Sequence, residues 1–205
     1  MKNAIVLAAG RGTRMKSGKN KVMHELLGKP MIGHLIDHLV NIDIENIVVV
    51  TGYQRELVQE YLGDQVSYAY QDEQIGTGDA VSKVTQLADK KGSTLLVFGD
   101  CALLKPETLE HVFEAHEGFD LTLASATTST PGNYSRVIRD NQGLIDKVVD
   151  QRDLSKLQDQ SSNEINLGVY CFNNELLFEY LPKIREINPS EELNIIDLIK
   201  IMKED

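Results

Sequence analysis

The sequence has little of what would direct a protein to an oxidising compartment, a membrane or a nucleic acid. Cys101 and Cys171 are its only cysteines, which is too few for a disulfide framework. No apolar run approaches the roughly 20 residues of a membrane span, and no signal peptide precedes the first apolar segment. The formal net charge is −10, and such an acidic balance argues against a nucleic-acid-binding surface. We therefore expect a cytoplasmic protein that binds neither nucleic acid nor membranes.

What the sequence does contain is typical of a globular protein. Its 205 residues are 41% hydrophobic and 25% charged, which is enough apolar material for a substantial core. Short apolar segments alternate with segments whose apolar residues recur at helical spacing. Because this alternation requires crossover connections, we predict an α/β fold with a Rossmann-like, mainly parallel sheet and helices on both faces. The predicted strands are 2–6, 47–50, 66–70, 94–98 and 121–126, and the predicted helices are 31–39, 57–62, 80–87 and 106–113.

The later part of the chain has a different character. A small β excursion is predicted for residues 137–139 and 145–150, around a turn at 141–143. A polar loop at 158–163, a strand at 165–172 and helices at 176–180 and 195–202 follow. We find no repeat, low-complexity linker or second boundary, so we expect one domain over residues 1–205.

The segment Leu7–Met15 (LAAGRGTRM) is the strongest local signal for a ligand. Its alanines and glycines let a ligand approach the backbone, and a strand that ends in such a turn presents N–H groups to an anion. Six of the 21 lysines and arginines lie between residues 11 and 29. A positive island on an acidic chain indicates a bound polyanion, although a solvated basic loop is the simpler alternative. The six residues are Arg11, Arg14, Lys16, Lys19, Lys21 and Lys29.

Two common phosphate motifs do not fit this segment. A P-loop requires four residues between its first glycine and the Gly-Lys pair, whereas five residues separate Gly12 from Gly18-Lys19, and Asn20 follows. The dinucleotide fingerprint begins with Gly10-Arg11-Gly12 but has Met15 at its third glycine position. Hydride transfer is therefore not favoured.

Three predicted strand ends carry the remaining signals. In open parallel sheets, ligands bind beyond the carboxyl ends of the strands. The basic loop, residues 71–78 and Gly99-Asp100 each follow such an end, so we expect them to converge on one cleft. His34 and His38 lie four residues apart on a predicted helix, but no carboxylate or third histidine has matching spacing. We therefore assign them to a helical face and not to a metal site.

The motifs, taken in order, resemble the nucleotide-sugar pyrophosphorylases, and most closely the uridyltransferase domain of bacterial bifunctional N-acetylglucosamine-1-phosphate uridyltransferases. The resemblance covers nearly the whole chain in the family's order. The matching segments are LAAGRGTRM (7–15), KVMH (21–24), LGKPM (27–31), QDEQIGTG (71–78), Gly99-Asp100, YSR (134–136) and EIN (164–166). It implies a nucleotide-diphospho-sugar transferase fold and a single nucleotidyltransferase domain. The hexapeptide repeats of the family's acetyltransferase β-helix domain are absent, so acetyl transfer is not predicted.

The resemblance implies that a sugar 1-phosphate attacks the α-phosphorus of UTP and releases pyrophosphate. Both reactants are already activated, so catalysis consists of holding two anions in line and stabilising charge, without a protein nucleophile. Arg14 is expected to bind the leaving pyrophosphate and Lys21 the phosphates at the point of exchange. Asp100 is the expected Mg²⁺ ligand, with capping of the following turn as the structural alternative.

The resemblance also implies the substrate contacts. Gln71 corresponds to a uracil-reading glutamine, and Asp150 and Asn166 to residues that contact the amino sugar. In the family, an asparagine from a later segment completes the metal site, and this chain offers no match, so Asp100 is expected to be the only protein ligand, with weak Mg²⁺ binding and reduced turnover. The further substrate-binding residues expected here are Leu7, Ala8, Ala9, Gly10, Gly76, Thr77, Phe98, Gly99 and Ser135.

Several positions depart from the family pattern, mostly around the expected sugar pocket. The leading hypothesis is synthesis of UDP-N-acetylglucosamine from UTP and N-acetylglucosamine 1-phosphate. The alternatives are a nucleotidyltransferase for another sugar or alcohol phosphate, and a nucleotide-binding homologue with reduced or lost turnover. The departures are Asn20 and Ala102 in place of prolines, Ser135 in place of glycine, Asp150 in place of glutamate, Leu167 in place of a small or polar residue, and the segment 190–194.

Overall fold

The first strand, β1 (Lys2–Ala8), is the centre of the fold. The computed structural model describes residues 1–156, 162–187 and 192–204. Every residue of β1 after Lys2 is buried, and its side chains alternate between two apolar cores. Ala4 and Val6 belong to one core, whereas Ile5 and Leu7 belong to the other. A strand that is apolar on both faces has to be covered by helices on both sides.

Four parallel strands form the first half of the sheet. β1 lies between β4 (Asn46–Thr51) and β6 (Ser93–Phe98), and β5 (Ser67–Tyr70) extends the sheet beyond β4. The crossover helices are short, and a small antiparallel pair, β2 and β3, precedes the first of them. The elements are β2 (Glu25–Leu26), β3 (Lys29–Pro30), α1 (Met31–Asn41), β4 (Asn46–Thr51), α2 (Arg55–Leu62), β5 (Ser67–Tyr70), α3 (Thr77–Ser82) and β6 (Ser93–Phe98).

An antiparallel extension forms the second half. β10 (Glu164–Asn173) runs antiparallel to β6 and also pairs with β7 (Leu121–Thr127) and β8 (Arg136–Arg139). β8 and β9 (Ile145–Val149) form the predicted hairpin. The sheet order is therefore β5-β4-β1-β6-β10-β8-β9, with β7 on β10. The elements are α4 (Pro106–Ala115), β7 (Leu121–Thr127), β8 (Arg136–Arg139), β9 (Ile145–Val149), β10 (Glu164–Asn173), α5 (Asn174–Tyr180), α6 (Lys183–Ile187) and α7 (Asp197–Glu204).

Helices cover both faces of the sheet, as predicted. α1, α2 and α4 pack on one face through residues such as Leu35, Val58 and Leu109. α3, α5, α6 and α7 pack on the other face through residues such as Leu177 and Leu198. The α/β class and the β excursion are confirmed, and the sheet is parallel from β5 to β6 and antiparallel beyond β6.

Two local predictions require comment. The helix expected over 80–87 ends at Ser82, because the backbone of Val84, whose side chain is buried, is not helical (φ −85°, ψ 77°). A separate 3₁₀ turn follows at Thr85–Leu87. A 3₁₀ turn at Gln151–Lys156 was not predicted. Most of the polar loop predicted at 158–163 lies outside the described residues.

Across the described ranges, no helix is both long and apolar enough to cross a membrane.

Candidate active site

The basic loop after β1 folds back over the carboxyl end of the sheet. Gly12 has a left-handed backbone (φ +64°), and a Cβ on it would lie 2.6 Å from the Cβ of Lys21. Glycine therefore lets the backbone at position 12 pass close to Lys21, on the later part of the same loop. Arg14 lies in the 3₁₀ turn Thr13–Met15 and is exposed. It makes no hydrogen bond or ion pair with any described residue, so its guanidinium is available to a ligand.

A buried asparagine anchors this loop to the neighbouring strand end. The Asn20 N–H donates to Gln54 Oε1 (2.7 Å), and Asn20 Nδ2 donates to the Tyr53 carbonyl (2.6 Å). Asn20 Oδ1 also accepts from the N–H of Val22 (3.1 Å). Both Tyr53 and Gln54 donate in turn to the carbonyl of Gly18. A proline at position 20 would have neither the N–H nor the carboxamide, so this anchor depends on the departure from the family pattern.

The basic loop and two other strand ends enclose a cavity of about 270 Å³, the first cavity. The convergence predicted from the sequence is therefore present. Eleven of the predicted site residues line it, with Gly12, Val22, Gln74, Ala80 and Glu192 as additional neighbours; the eleven are Leu7, Ala8, Ala9, Gly10, Arg14, Lys21, Gln71, Gly76, Thr77, Phe98 and Asp100.

Gly99 is the exception on this side of the sheet, because it lines neither this cavity nor the second cavity described below. Its N–H donates to the carbonyl of Leu7 (2.9 Å). A Cβ on Gly99 would lie 3.0 Å from Val22 Cγ1, so the position is tightly packed. Gly99 therefore connects β6 to β1 and places Asp100 without facing the cavity.

Gln71 follows β5 and is almost fully buried, with 3% of its surface exposed. Its Nε2 donates to the carbonyl of Gly76 (2.9 Å) and to Asp79 Oδ2 (2.9 Å). The Gly76 backbone has φ +126°, and a Cβ there would lie 2.2 Å from the carbonyl oxygen of Leu193. Glycine is therefore required where this turn contacts the C-terminal segment.

The C-terminal segment closes over the same turn through backbone hydrogen bonds. The Leu193 N–H donates to the carbonyl of Ile75 (2.8 Å), and the Gly78 N–H donates to the carbonyl of Leu193 (2.7 Å). The Ile195 N–H donates to Thr77 Oγ1 (2.9 Å). Residues 193–195 thus fix the position of Thr77 at the edge of the first cavity.

Lys21 and Asp100 form an ion pair at the carboxyl end of β6. No backbone N–H of the described ranges donates to the Asp100 carboxylate, so the capping alternative is not supported. Burial, followed by the neighbouring Asp100 carboxylate, raises the pKa of Cys101 to about 11. Since a thiol must ionise to act as a nucleophile, Cys101 is unsuited to covalent catalysis near neutral pH.

Asp100 is the predicted metal ligand, and its surroundings fit an ion that arrives with a phosphate. Within the described residues, no group of three or more His, Cys, Asp or Glu side chains could hold a metal. The Asp100 side chain is 28% exposed and lines the first cavity. Mg²⁺ commonly takes one or two carboxylates and completes its shell with phosphate oxygens and water. A single, partly buried carboxylate beside a cationic loop meets that requirement, whereas one carboxylate could not form an all-protein cage.

A second cavity, of about 610 Å³, adjoins the first on the antiparallel side of the sheet. It contains the two predicted sugar contacts, Asp150 and Asn166, the predicted substrate-binding residue Ser135, and the departure Leu167. Its other lining residues are Arg14, Lys21, Thr77, Phe98, Asn133, Tyr134, Gly168, Tyr170, Asn194, Ile195 and Ile196.

A bulge in β10 shapes the second cavity. The pairing of β10 with β7 shifts between Asn166 and Tyr170, and Gly168 within the bulge has φ +74°. Asn166 accepts from the N–H of Gly168 (3.0 Å) and donates to the hydroxyl of Tyr170 (2.6 Å). Burial raises the pKa of Tyr170 to about 12, although the Asn166 hydrogen bond opposes this shift. The carboxamide of Asn166 is thus held in a fixed orientation while one N–H and one lone pair remain.

Asp150 is fixed by the arginine two residues later. Asp150 Oδ1 accepts from the N–H and from Nε of Arg152 (2.9 Å each). Burial acts to raise the pKa of Asp150, but the Arg152 hydrogen bonds outweigh it and hold the pKa below its usual value. Arg152 also pairs with Glu192, which lines the first cavity. This chain of contacts links the walls of the two cavities.

Among the described residues, four line both cavities: Arg14, Lys21, Thr77 and Phe98. Two of them are the cations predicted to act on phosphates. A ligand in one cavity and a ligand in the other would therefore meet at Arg14 and Lys21.

Sequence reasoning missed several residues of the site. Asp79 and Tyr170 had no motif that distinguished them from helix and core residues. Glu192 and Asn194 lie in the segment 190–194, which was noted only as a departure. His34 and His38 lie on α1, the predicted helix, where His34 Nε2 contacts the carbonyl of Leu26 and His38 Nδ1 contacts that of Leu104.

Comparison with known proteins gives consistent results. Residues 3–205 match the nucleotidyl transferase family. The chain is 42% identical over 207 residues to the bifunctional protein GlmU of Limosilactobacillus fermentum, covering 100% of this chain and 45% of that protein. It is 41% identical over 205 residues to GlmU of Enterococcus faecalis, covering 98% and 44%. The chain thus spans less than half the length of these curated relatives.

Solved structures show the same fold at lower sequence identity. HddC from Yersinia pseudotuberculosis, complexed with GMP-PN, superposes with a TM-score of 0.71 at 19% identity and covers 96% of this chain and 84% of its own. A putative glucose-1-phosphate thymidylyltransferase from Bacillus anthracis, in complex with a sucrose, gives a TM-score of 0.73 at 21% identity, covering 96% and 80%. At these identities the likeness establishes the fold alone.

Proposed function

Because the chain belongs to the nucleotidyl transferase family, we propose that it makes UDP-N-acetylglucosamine and pyrophosphate from UTP and N-acetylglucosamine 1-phosphate in a Mg²⁺-dependent reaction. One observation carries the proposal: Arg14 and Lys21 lie at the junction of two cavities. A reaction between two phosphorylated substrates requires cations at the place where their phosphates meet. The identity of about 40% with GlmU proteins along the whole chain supports the same substrates.

In the proposed reaction, a phosphate oxygen of the sugar 1-phosphate forms a bond to the α-phosphorus of UTP, and the bond to the β-phosphate oxygen breaks. Arg14 stabilises the leaving pyrophosphate with its forked guanidinium. Lys21 balances the charge of the group in transfer. No protein nucleophile is needed, because both substrates are already activated.

The first cavity is the proposed site for UTP. The end of β1 and the glycine loop offer backbone groups and no long side chains to the nucleotide, through Leu7, Ala8, Ala9 and Gly10. In this proposal Gln71 reads the base, and the Gly76-Thr77 turn beside it lines the same cavity. Asp100 would hold Mg²⁺ that is bound to the phosphates, and the ion would supply additional positive charge to the transferring group.

The second cavity is the proposed site for the sugar phosphate. Asn166 and Asp150 present polar atoms whose orientation is fixed by Tyr170 and Arg152. Ser135 and Leu167 line the same cavity and are departures from the family pattern. These two side chains favour, as a second candidate, a related sugar 1-phosphate of different shape.

The test is to measure pyrophosphate release with UTP and N-acetylglucosamine 1-phosphate, together with calorimetry of UTP binding. A panel of CTP, dTTP, ATP and GTP, and of other sugar and alcohol phosphates, accompanies it. We expect the highest kcat/KM for the proposed pair. A higher value for another sugar phosphate would assign the second candidate, a CTP and alcohol phosphate pair would contradict uridylyl transfer, and UTP binding without turnover would indicate a nucleotide-binding homologue.

A further inference from the structure

Gln71 is held in one orientation before any nucleotide binds. Its Nε2 donates to two oxygens, the Gly76 carbonyl and Asp79 Oδ2, at 2.9 Å each. A carboxamide nitrogen carries two protons, and both partners are acceptors only. Rotation of the carboxamide by half a turn would place Oε1 against these two oxygens. The protein therefore determines which end of Gln71 remains for a ligand.

The remaining group is the carbonyl oxygen. No described residue donates a hydrogen bond to Gln71 Oε1. Gln71 lines the first cavity although only 3% of its surface is exposed. The side chain thus presents an acceptor, and no free donor, to whatever occupies that cavity.

Asp79 itself is an unusual neighbour for a glutamine. It is a carboxylate with 1% of its surface exposed, and burial of a charge costs free energy unless partners offset it. Asp79 Oδ1 accepts from Lys83 Nζ (3.0 Å) and lies 3.5 Å from Arg185 Nη2. The two cations thus hold one carboxylate oxygen, while the other is directed at Gln71. An apolar residue would fill this position without the need for an ion pair.

We propose that Asp79 is a positioning residue for base selection: together with the Gly76 carbonyl it holds both Nε2 protons of Gln71, so that Gln71 accepts from uracil and rejects cytosine. This inference rests on the proposed use of UTP. A freely rotating glutamine can pair with either base, because it offers a donor and an acceptor in either order. When only Oε1 is offered, the N3–H of uracil can donate to it. In the same pose, the N3 lone pair of cytosine would face that oxygen and repel it.

The experiment measures the ratio of the Kd values for CTP and UTP by calorimetry on the full chain. The variants are Asp79→Asn, which can donate as well as accept and so no longer determines the orientation of Gln71, and Asp79→Leu, which removes the acceptor. Lys83→Gln is the matched control, because it removes an ion pair of Asp79 Oδ1 and leaves the contact between Oδ2 and Gln71.

We expect wild type and Lys83→Gln to prefer UTP by ratios that agree within about twofold. Both Asp79 variants should reduce the ratio by roughly tenfold, which corresponds to about 1.4 kcal/mol. If the Asp79 variants weaken UTP and CTP binding equally, Asp79 is only structural and the inference is wrong, while the proposed function stands. If wild type does not prefer UTP, the choice of nucleotide is wrong and the inference fails with it.

A second measurement needs no variant at Asp79. In the nucleotide-free wild-type chain, the two Nε2 protons of Gln71 should give separate NMR resonances that exchange slowly with water, assigned by their loss in Gln71→Glu. Exchange as fast as that of an exposed glutamine would show that the carboxamide is not held, and would overturn the inference even if the Asp79 variants did not fold.

Discussion

The two cavities of the site are built by different means. The first lies at the carboxyl ends of parallel strands, and much of its wall is backbone and small residues, including Ala8, Ala9, Gly10 and Gly76. The second lies on the antiparallel extension, where polar side chains such as Asn166 and Asp150 form the wall. Tyr170 and Arg152 hold these two in place.

The difference indicates how readily each specificity can change. Backbone groups at a strand end depend on the whole sheet, so the part of the first cavity that they form cannot be changed by exchanging one side chain, although the side chain of Gln71 can be exchanged. Side chains on a hairpin and a bulge can be exchanged one at a time. Three departures from the family pattern, Ser135, Asp150 and Leu167, line the second cavity. Glu192, in the departing segment 190–194, lines the first cavity.

The largest expected effect concerns the residues that belong to both cavities. Arg14→Ala and Lys21→Ala should each lower kcat by roughly 100- to 1,000-fold, the range typical of a lost group that stabilises transition-state charge. Lys16→Asn is the control, because Lys16 lies on the same loop but lines neither cavity, and asparagine tolerates its left-handed backbone (φ 49°). Pyrophosphate release is the measurement. Near wild-type turnover in either alanine variant would contradict the shared-cation mechanism.

The next prediction tests whether the two cavities bind their substrates independently. Asn166→Ala removes the proposed contact to the sugar and leaves the hydroxyl of Tyr170 and the N–H of Gly168 without their partner. We expect the KM for the sugar phosphate to rise at least tenfold and the Kd for UTP to stay within about threefold, since a lost hydrogen bond with a buried partner costs about 1–3 kcal/mol. Equal losses for both substrates would show that the cavities are not independent.

The elements of this fold were largely predictable from local patterns. Apolar runs such as 47–50 and helical spacing such as that of 31–39 are properties of the contiguous sequence. The convergence of the strand ends followed from the rule for parallel sheets. The antiparallel pairing of β10 with β6 was not predictable, because an apolar run does not specify its neighbour or direction. The single-domain organisation and the cytoplasmic location remain predictions.

The candidate site was predictable where a motif carried it and not elsewhere. Gln71 was identified through its segment, but the residue that orients it was not. Asp79 lies eight positions later in a helix, where an acidic residue in the first turn is ordinary. Only the turn at Gly76 (φ +126°) brings its carboxylate to Gln71. Such contacts depend on tertiary geometry, so a local pattern cannot reveal them.

A smaller effect tests how rigid the shared loop has to be. The backbone of Asn20 (φ −51°, ψ 135°) is compatible with proline, the residue of the family pattern. Asn20→Pro removes three hydrogen bonds worth about 1 kcal/mol each. The reduced entropy of the unfolded chain offsets about 0.4–1 kcal/mol of this loss.

We expect a net destabilisation of about 2–2.6 kcal/mol by urea unfolding, and a kcat reduced by less than tenfold because Lys21 becomes less firmly placed. Asn20→Ala is the matched control, since it loses the side-chain bonds but keeps the N–H to Gln54 Oε1. If Asn20→Pro is as stable and as active as wild type, the anchor is dispensable.

The smallest effect concerns stability at acid pH. We expect the antiparallel half of the sheet, which carries the second cavity, to lose stability before the parallel half. The hydrogen bond from Arg139 is the main reason that the pKa of Glu164, at the start of β10, is lowered from its ordinary value of 4.5. A carboxyl whose pKa is lower in the folded state stabilises the fold above its unfolded pKa. That contribution is lost as pH falls through the folded pKa. Glu164 should therefore contribute fully above about pH 4.5 and progressively less below it.

The Glu164 and Arg139 side chains are 18% and 44% exposed, so solvent screening limits the contribution to less than about 1 kcal/mol. Urea unfolding of wild type and Glu164→Gln between pH 3 and 6 should give curves that converge below pH 4.5, whereas Glu110→Gln, an exposed site on α4, should not change the pH dependence. Hydrogen exchange in the same range should show β8, β9 and the start of β10 losing protection before β1 and β6. Simultaneous loss in both halves would mean that ion pairs do not distinguish the second cavity from the first.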